Sequence, residues 1–235
     1  MDKIVDKYYI RQPAGIGDIF YCLKIAKRIL SDGKAKEVIW PVNDVFSYIG
    51  DYIKYPGLTF TSLDEYNEKE IYDSGNLILE INSADTYYPK LTIMSAKYHM
   101  VGLKEDDALD YFEFERNYER EEALFEKLSL DKNSEYVFVS EIYGSPPTSS
   151  RHAIPVNTDK RIVYNAYYEG INLFDWCGVL ENASEIHMVD TSFMYLMEKL
   201  DCKGNNFNLY SRYVPSNFNV IKHIPKKIKW NLINW

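Results

Sequence analysis

The chain has 235 residues, 46% of them hydrophobic, and a formal net charge of −8. That length is ample for one large core or two small ones, and the composition excludes a disordered or collagen-like chain. No run approaches the roughly 18 apolar residues of a membrane span, and Met1 to Lys7 lacks the apolar core of a signal peptide. The basic residues are scattered rather than gathered into a phosphate-neutralising stripe; only Lys222 to Lys229 is locally basic, as a solvated tail or helix face often is. The expectation is therefore a soluble, cytoplasmic protein with no transmembrane segment and no nucleic-acid partner. Cys22, Cys177 and Cys202 lie far apart without CxxC spacing, which reads as core thiols in a reducing compartment rather than a disulfide framework or a zinc site. The 21 tyrosines suit sugar- or nucleobase-binding surfaces, and a compositional bias of the source genome accounts for them equally well.

In chain order, Lys7 to Gln12 predicts a short strand, Pro13 to Asp18 a turn, and Ile19, Phe20, Leu23, Ala26, Ile29 and Leu30 recur at helical spacing until Asp32-Gly33. Val38-Ile39-Trp40 marks a second strand, Val45 to Tyr55 a second amphipathic helix, Leu58 to Thr61 a third strand and Asn76 to Asn82 a fourth. Strands alternating with helices at this pace mean βαβ units and a mostly parallel sheet. The stretch from Lys104 to Glu122 is crowded with acidic residues, and Glu119 to Leu128 is a strong helix; residues 104–132 read as a connector whose charge run is a solvated face. The pattern then restarts with a strand at Tyr136 to Ile142, a Gly/Ser/Pro-rich loop, and a strand at Arg161 to Tyr164. A helix from Asn172 to Ala183, a strand from Ile186 to Asp190 and a helix carrying Phe193, Leu196, Met197 and Leu200 follow. The expected organisation is an N-terminal domain over 1–132, including the connector, and a C-terminal domain over 133–235: α/β, two Rossmann-like halves whose parallel sheets face a cleft.

Three constellations carry chemistry. Gly15-Ile16-Gly17-Asp18 joins strand to helix, where glycines allow a tight turn and close approach to the helix N-terminus. Phe20 stands where a dinucleotide fingerprint needs its third glycine, so a nicotinamide cofactor is disfavoured. Asp18 reads either as a helix N-cap or as a general base for an acceptor hydroxyl. The second constellation is the loop from Tyr143 to Pro155, where Ser145, Ser149, Ser150 and Arg151 offer donors and one guanidinium to a phosphate or diphosphate; a flexible polar surface loop has the same composition. The third is Asp190-Thr191-Ser192 at a strand end opening a helix, which is either an ordinary cap or a phosphate cradle on the helix dipole. In open α/β sheets ligands gather at the carboxyl ends of strands, where the second and third constellations both fall.

These residues resemble the GT-B glycosyltransferases, above all the heptosyltransferase-like family (the ADP-heptose:LPS heptosyltransferase type). Leu173 to Ala183 followed by Ile186 to Ser192 is similar to the family's helix, buried strand and Asp-Ser/Thr-Gly run that cradles a nucleotide sugar. Gly15-Ile16-Gly17-Asp18 is similar to its N-terminal Gly-x-Gly-Asp turn, and Arg151 with Pro155 to its basic residue and proline near the donor phosphate. Ser192 stands where glycine is usual, Tyr195 where histidine is usual and Arg151 where lysine is typical, and the chain is shorter than the family's. The resemblance implies transfer of a sugar from a nucleotide-diphosphate donor to a glycan or other hydroxyl acceptor, with no metal and no cofactor beyond the donor. It makes Asp18 the base and gives the donor Ser145, Ser149, Ser150, Arg151, Glu169, Asp190, Thr191 and Ser192. Glu169, toward a ribose or sugar hydroxyl, is as readily a solvated loop carboxylate. Gly15, Gly17 and His99 would line the acceptor side, although a lone histidine is more often structural. A non-catalytic sugar- or nucleotide-binding module and a nucleotide-sugar epimerase are the alternatives.

Overall fold

The first strand, β1 (Val5–Arg11), buries Val5 and Ile10 and runs into a glycine turn, after which α1 (Ile16–Ser31) buries the apolar stripe that its spacing predicts. The computed structural model describes residues 4–13, 15–131, 133–144, 148–212 and 226–233; Ser145 and Lys222 lie outside them. The chain divides into two units, the first ending at Glu115 and the second beginning at Arg116.

The first unit continues with β2 (Ala35–Val42), α2 (Ile49–Tyr52), β3 (Leu58–Ser62), α3 (Glu68–Asp73), β4 (Leu77–Glu80), α4 (Ala84–Tyr87) and α5 (Ile93–Met100). Its four strands pair in parallel in the order β3-β2-β1-β4. The order reverses beside β1, between β1 and β4, and the crevice outside such a switch point is where open α/β sheets place ligands. The turn at Gly15 leaves the carboxyl end of that strand. The helix expected over Val45 to Tyr55 is instead a 3-10 turn at Asp44–Phe46 and the single turn of α2. Gly50 and the β-branched Val45, Ile49 and Ile53 all lower the propensity for a continuous helix there.

The acidic connector is a correction. Residues 104–115 pack on α1 rather than bridging the halves: Lys24 pairs with the Asp107 carboxylate and donates to Lys104 O at 2.7 Å, while Lys27 meets Glu113 Oε2 at 3.1 Å. Phe112 stacks on Phe20 with ring centroids 4.3 Å apart. Both lysine side chains are buried, so the acidic run supplies the counter-charges they need instead of facing water throughout.

The second unit begins with α6 (Tyr118–Lys127), β5 (Tyr136–Ser140), the short antiparallel pair β6 (Ile142–Tyr143) and β7 (Ser150–Arg151), and β8 (Arg161–Tyr164). It continues with α7 (Cys177–Asn182), β9 (Glu185–Val189), α8 (Phe193–Met197), β10 (Asn206–Tyr210) and β11 (Asn231–Ile233). The main sheet is parallel, in the order β11-β10-β9-β5-β8, so its switch point lies between β5 and β9. One face packs Val137, Val139, Val189 and Tyr210 under Ile154. Phe138, whose side chain leaves the opposite face, meets Trp176 and Phe193 at centroid distances of 5.7 and 5.6 Å. Among the described residues no helix is long and apolar enough to cross a membrane.

Candidate functional site

In the first unit the site is the turn at the switch point. Gly15 is the N-cap of α1 with φ 77°, a left-handed conformation that side chains rarely adopt. A methyl group on Gly15 would lie 2.6 Å from Asp18 Oδ2, so the glycine also leaves room for the carboxylate to fold back over the turn. Asp18 is accordingly not the N-cap that its spacing allowed; it stands in the first helical turn, where the helix dipole favours an anion. Its Oδ1 accepts a hydrogen bond from Lys97 Nζ of α5, and the Lys97 side chain is fully buried while that of Asp18 is 28% exposed. A buried ammonium requires its counter-ion, so Lys97 fixes the carboxylate in place and Asp18 still reaches solvent. Cys22, one turn along α1, is wholly buried, and burial pushes its thiol up to about 12 against the pull of Lys97. It is an inert core thiol, as expected; Cys177 is buried as well and Cys202 half-buried, and all three are free.

Lys97 is the residue that sequence reasoning missed, two places from the one it chose. His99 is exposed on α5 and packs edge-on against Tyr88 at 4.6 Å. Residues two apart on a helix do not face the same way, so His99 and Lys97 do not share a face. Gly17 is the second residue of α1, and its side-chain-free position lies beside the same turn.

In the second unit the expected residues within the described part of the chain follow the carboxyl ends of β5 and β9, except Glu169, which follows β8. Arg151 is anchored rather than loose: its Nε donates to Glu141 Oε2 at 2.6 Å, and Glu141 Oε1 accepts from Ile154 N at 2.7 Å. Glu141 follows directly on β5 and is only 5% exposed, whereas the Arg151 side chain is 67% exposed. Ser149 and Ser150 are exposed on the same small hairpin. Asp190 follows directly on β9, is 3% exposed, and accepts from Arg212 N at 2.9 Å on Oδ1, with Arg212 Nε 3.5 Å from Oδ2. Glu141 and Arg212 were missed because the sequence reading weighed their partners, Arg151 and Asp190, as ligand contacts or as surface-loop and cap residues, and not as members of ion pairs. Thr191 Oγ1 is buried and makes no hydrogen bond among the described residues. Ser192 flanks α8 in helical geometry without capping it through its side chain, and the helix is five residues long, too short for a strong dipole. Glu169 is exposed in the loop after β8, away from any of these pairs in sequence and strand order.

Burial pushes the Asp190 carboxyl up to about 6, against the downward pull of Arg212. A carboxyl that is easier to protonate in the folded chain than in the unfolded one favours the folded state most at low pH. That stability is lost as pH rises from about 4 to about 6 and is flat above, a change of about 3 kcal/mol. Asp190→Asn is expected to remove this component. In urea titrations between pH 4 and pH 8, the difference in stability between wild type and variant should change across that window; parallel curves would mean that Asp190 does not titrate there.

No protein-family model matches this sequence, and no curated protein matches it. Among solved structures, the glycosyl transferase family 9 protein of Veillonella parvula DSM 2008 is similar with a TM-score of 0.58 at 8% identity, over 99% of this chain and 87% of that one. The iron-containing dodecameric glycosyltransferase TibC from enterotoxigenic E. coli H10407 gives a TM-score of 0.49 at 12% identity, over 89% of this chain. This chain spans 58% of the length of TibC. E. coli ADP-heptose LPS heptosyltransferase II gives a TM-score of 0.49 at 9% identity, over 97% of this chain and 90% of that one. The Veillonella structure carries the comparison, and at its identity the likeness is one of fold: this chain has, over nearly its whole length, the two-sheet GT-B-like fold of a family 9 glycosyl transferase.

Proposed function

We propose that the protein is a glycosyltransferase that moves a sugar from a nucleotide-diphosphate donor to a hydroxyl acceptor, a glycan or another alcohol. The acceptor oxygen bonds to the anomeric carbon as Asp18 takes its proton. The bond from that carbon to the diphosphate oxygen breaks, and the nucleoside diphosphate leaves with the electron pair. The observation that carries this reading is the Asp18 carboxylate, solvent-reaching and locked by buried Lys97, at the switch point of a chain with a glycosyltransferase's fold. Guanidinium groups at the strand ends of the second unit supply positive charge for the leaving diphosphate, so the reading needs no metal and no cofactor besides the donor. The three free thiols fit a cytoplasmic location, where such donors would be met.

The test is a thermal-shift screen against nucleotides and nucleotide sugars of every common base. A ligand at about 100 times its Kd adds about 2.7 kcal/mol to the stability of the form that binds it. A clear rise in Tm with the nucleotides of one base is expected. No shift with any nucleotide or nucleotide sugar would overturn the reading.

A further inference from the structure

The edge of the first sheet at β4 is built like the middle of a sheet. Leu77-Ile78-Leu79 is a continuous apolar run, the pattern of a strand covered on both faces. Leu77 is nevertheless exposed, and Ile78, Leu79 and Glu80 are half-buried. Native edge strands are guarded by lysine, proline or a bulge, and β4 has none of the three. The opposite edge strand, β3, carries Thr59, Thr61 and Ser62 instead. Tyr72, Leu77, Tyr87, Leu91 and Ile93 are between 38% and 67% exposed; among the described residues of the first unit, the other large apolar side chains exposed are Ile4 and Val45. All five belong to β4 or to the segments directly before and after it, α3 and the stretch from α4 into α5. Together they expose on the order of 400 Å² of apolar surface. A standard interface buries about 800 Å² on each partner, a little over half of it apolar, so the edge offers what one such interface needs.

The backbone at this edge selects the partner. Ile81 N donates to Arg11 O at 3.3 Å, so the odd-numbered positions of β4 turn their peptide groups toward β1. By alternation Ile78 and Glu80 present theirs outward. We propose that β4 pairs antiparallel with β4 of a second copy of this chain, about a two-fold axis at Leu79, which joins the two four-stranded sheets into one. In that register Ile78 of each copy faces Glu80 of the other, and both pairs exchange main-chain hydrogen bonds. Leu79 meets its own counterpart across the axis, and Leu77 faces Ile81 on the same side of the sheet. The neighbouring registers fail. Centring the pair on Glu80 sets like charges directly opposite each other. Centring it on Ile78 calls on the N–H of Asn76, which already donates to Ile71 O at 3.2 Å. At the Leu79 register Glu80 keeps its counter-charge within its own copy, since Arg11 lies 2.8 Å from it.

The test is sedimentation equilibrium of the full chain across a concentration series, with a dimer expected. Ile78→Pro removes an outward N–H from each copy at an edge position, where proline is tolerated, and is expected to weaken the dimer by about 10- to 100-fold. A second pair of variants reads the register without depending on proline. Leu79→Cys places a thiol opposite its own counterpart, with Cα atoms about 4.5 Å apart and within reach of a disulfide. Leu77→Cys stands about 13 Å from its counterpart in the same register, beyond that reach. Mild oxidation should give a covalent dimer of Leu79→Cys, and neither Leu77→Cys nor the wild type should cross-link. A wild-type chain that stays monomeric at every concentration overturns the pairing. A dimer that a folded Ile78→Pro variant leaves as tight as the wild type, or equal cross-linking at both cysteine positions, overturns it as well.

Discussion

Asp18→Asn is expected to lower transfer to a hydroxyl acceptor by about 10²- to 10⁴-fold, the range for removal of a general base, while donor affinity stays within about twofold. The substitution has a structural side that must be separated from the chemical one. Asparagine can still accept from Lys97 Nζ, but it leaves the fully buried ammonium without its counter-charge. Breaking a buried pair in that way costs about 3–5 kcal/mol. Asp18→Asn/Lys97→Met removes both charges and is expected to recover most of the lost stability and none of the lost turnover. Turnover near wild type in the double variant would show that Asp18 is not the base. A wild type that binds donor and neither transfers nor hydrolyses it would leave a sugar-nucleotide binding module instead.

The sheets were legible in the sequence, the pairs that build the site much less so. Val38-Ile39-Trp40 and Val137-Phe138-Val139 are short apolar runs between breakers, and both are central buried strands. β10 carried a weaker signal that went unread: Asn206-Phe207-Asn208-Leu209-Tyr210 alternates, with Phe207 and Leu209 on one face and Asn208 beside His187 on the other. β11 is three residues at a sheet edge, below what periodicity resolves. Lys97 is different in kind. It occupies an apolar stripe with Met94, Tyr98 and Val101, and a lysine in such a stripe signals a buried partner. The partner lies 79 residues away, which no local pattern can reveal. Glu141 and Arg212 share that difficulty, since their meaning comes from neighbouring strand ends and not from spacing along the chain.

Arg120→Met is the most damaging change expected for stability outside the site, and it tests where the second unit begins. Reading residues 104–132 as a solvated connector makes Arg120 a surface charge of little consequence. In the structure its Nε and one terminal nitrogen donate to the two oxygens of Asp175 at 2.8 and 2.6 Å, and Asp175 is fully buried. Asp175 Oδ2 also accepts from Asn172 N at 2.8 Å, so this carboxylate ties α6 to the segment leading into α7. Removing the guanidinium takes both of its hydrogen bonds and its counter-charge from a fully buried carboxylate. The Arg120 side chain is 39% exposed, and water can partly take its place. The expected loss is therefore about 3 kcal/mol, the lower end for a broken buried pair, and roughly 10 °C in Tm for a unit of this size. Arg120→Met/Asp175→Asn should lose less than Arg120→Met alone, because the neutral amide no longer requires the cation. A shift of under 2 °C on the single substitution, on the order of what an exposed ion pair contributes, would return α6 to the status of a solvated connector.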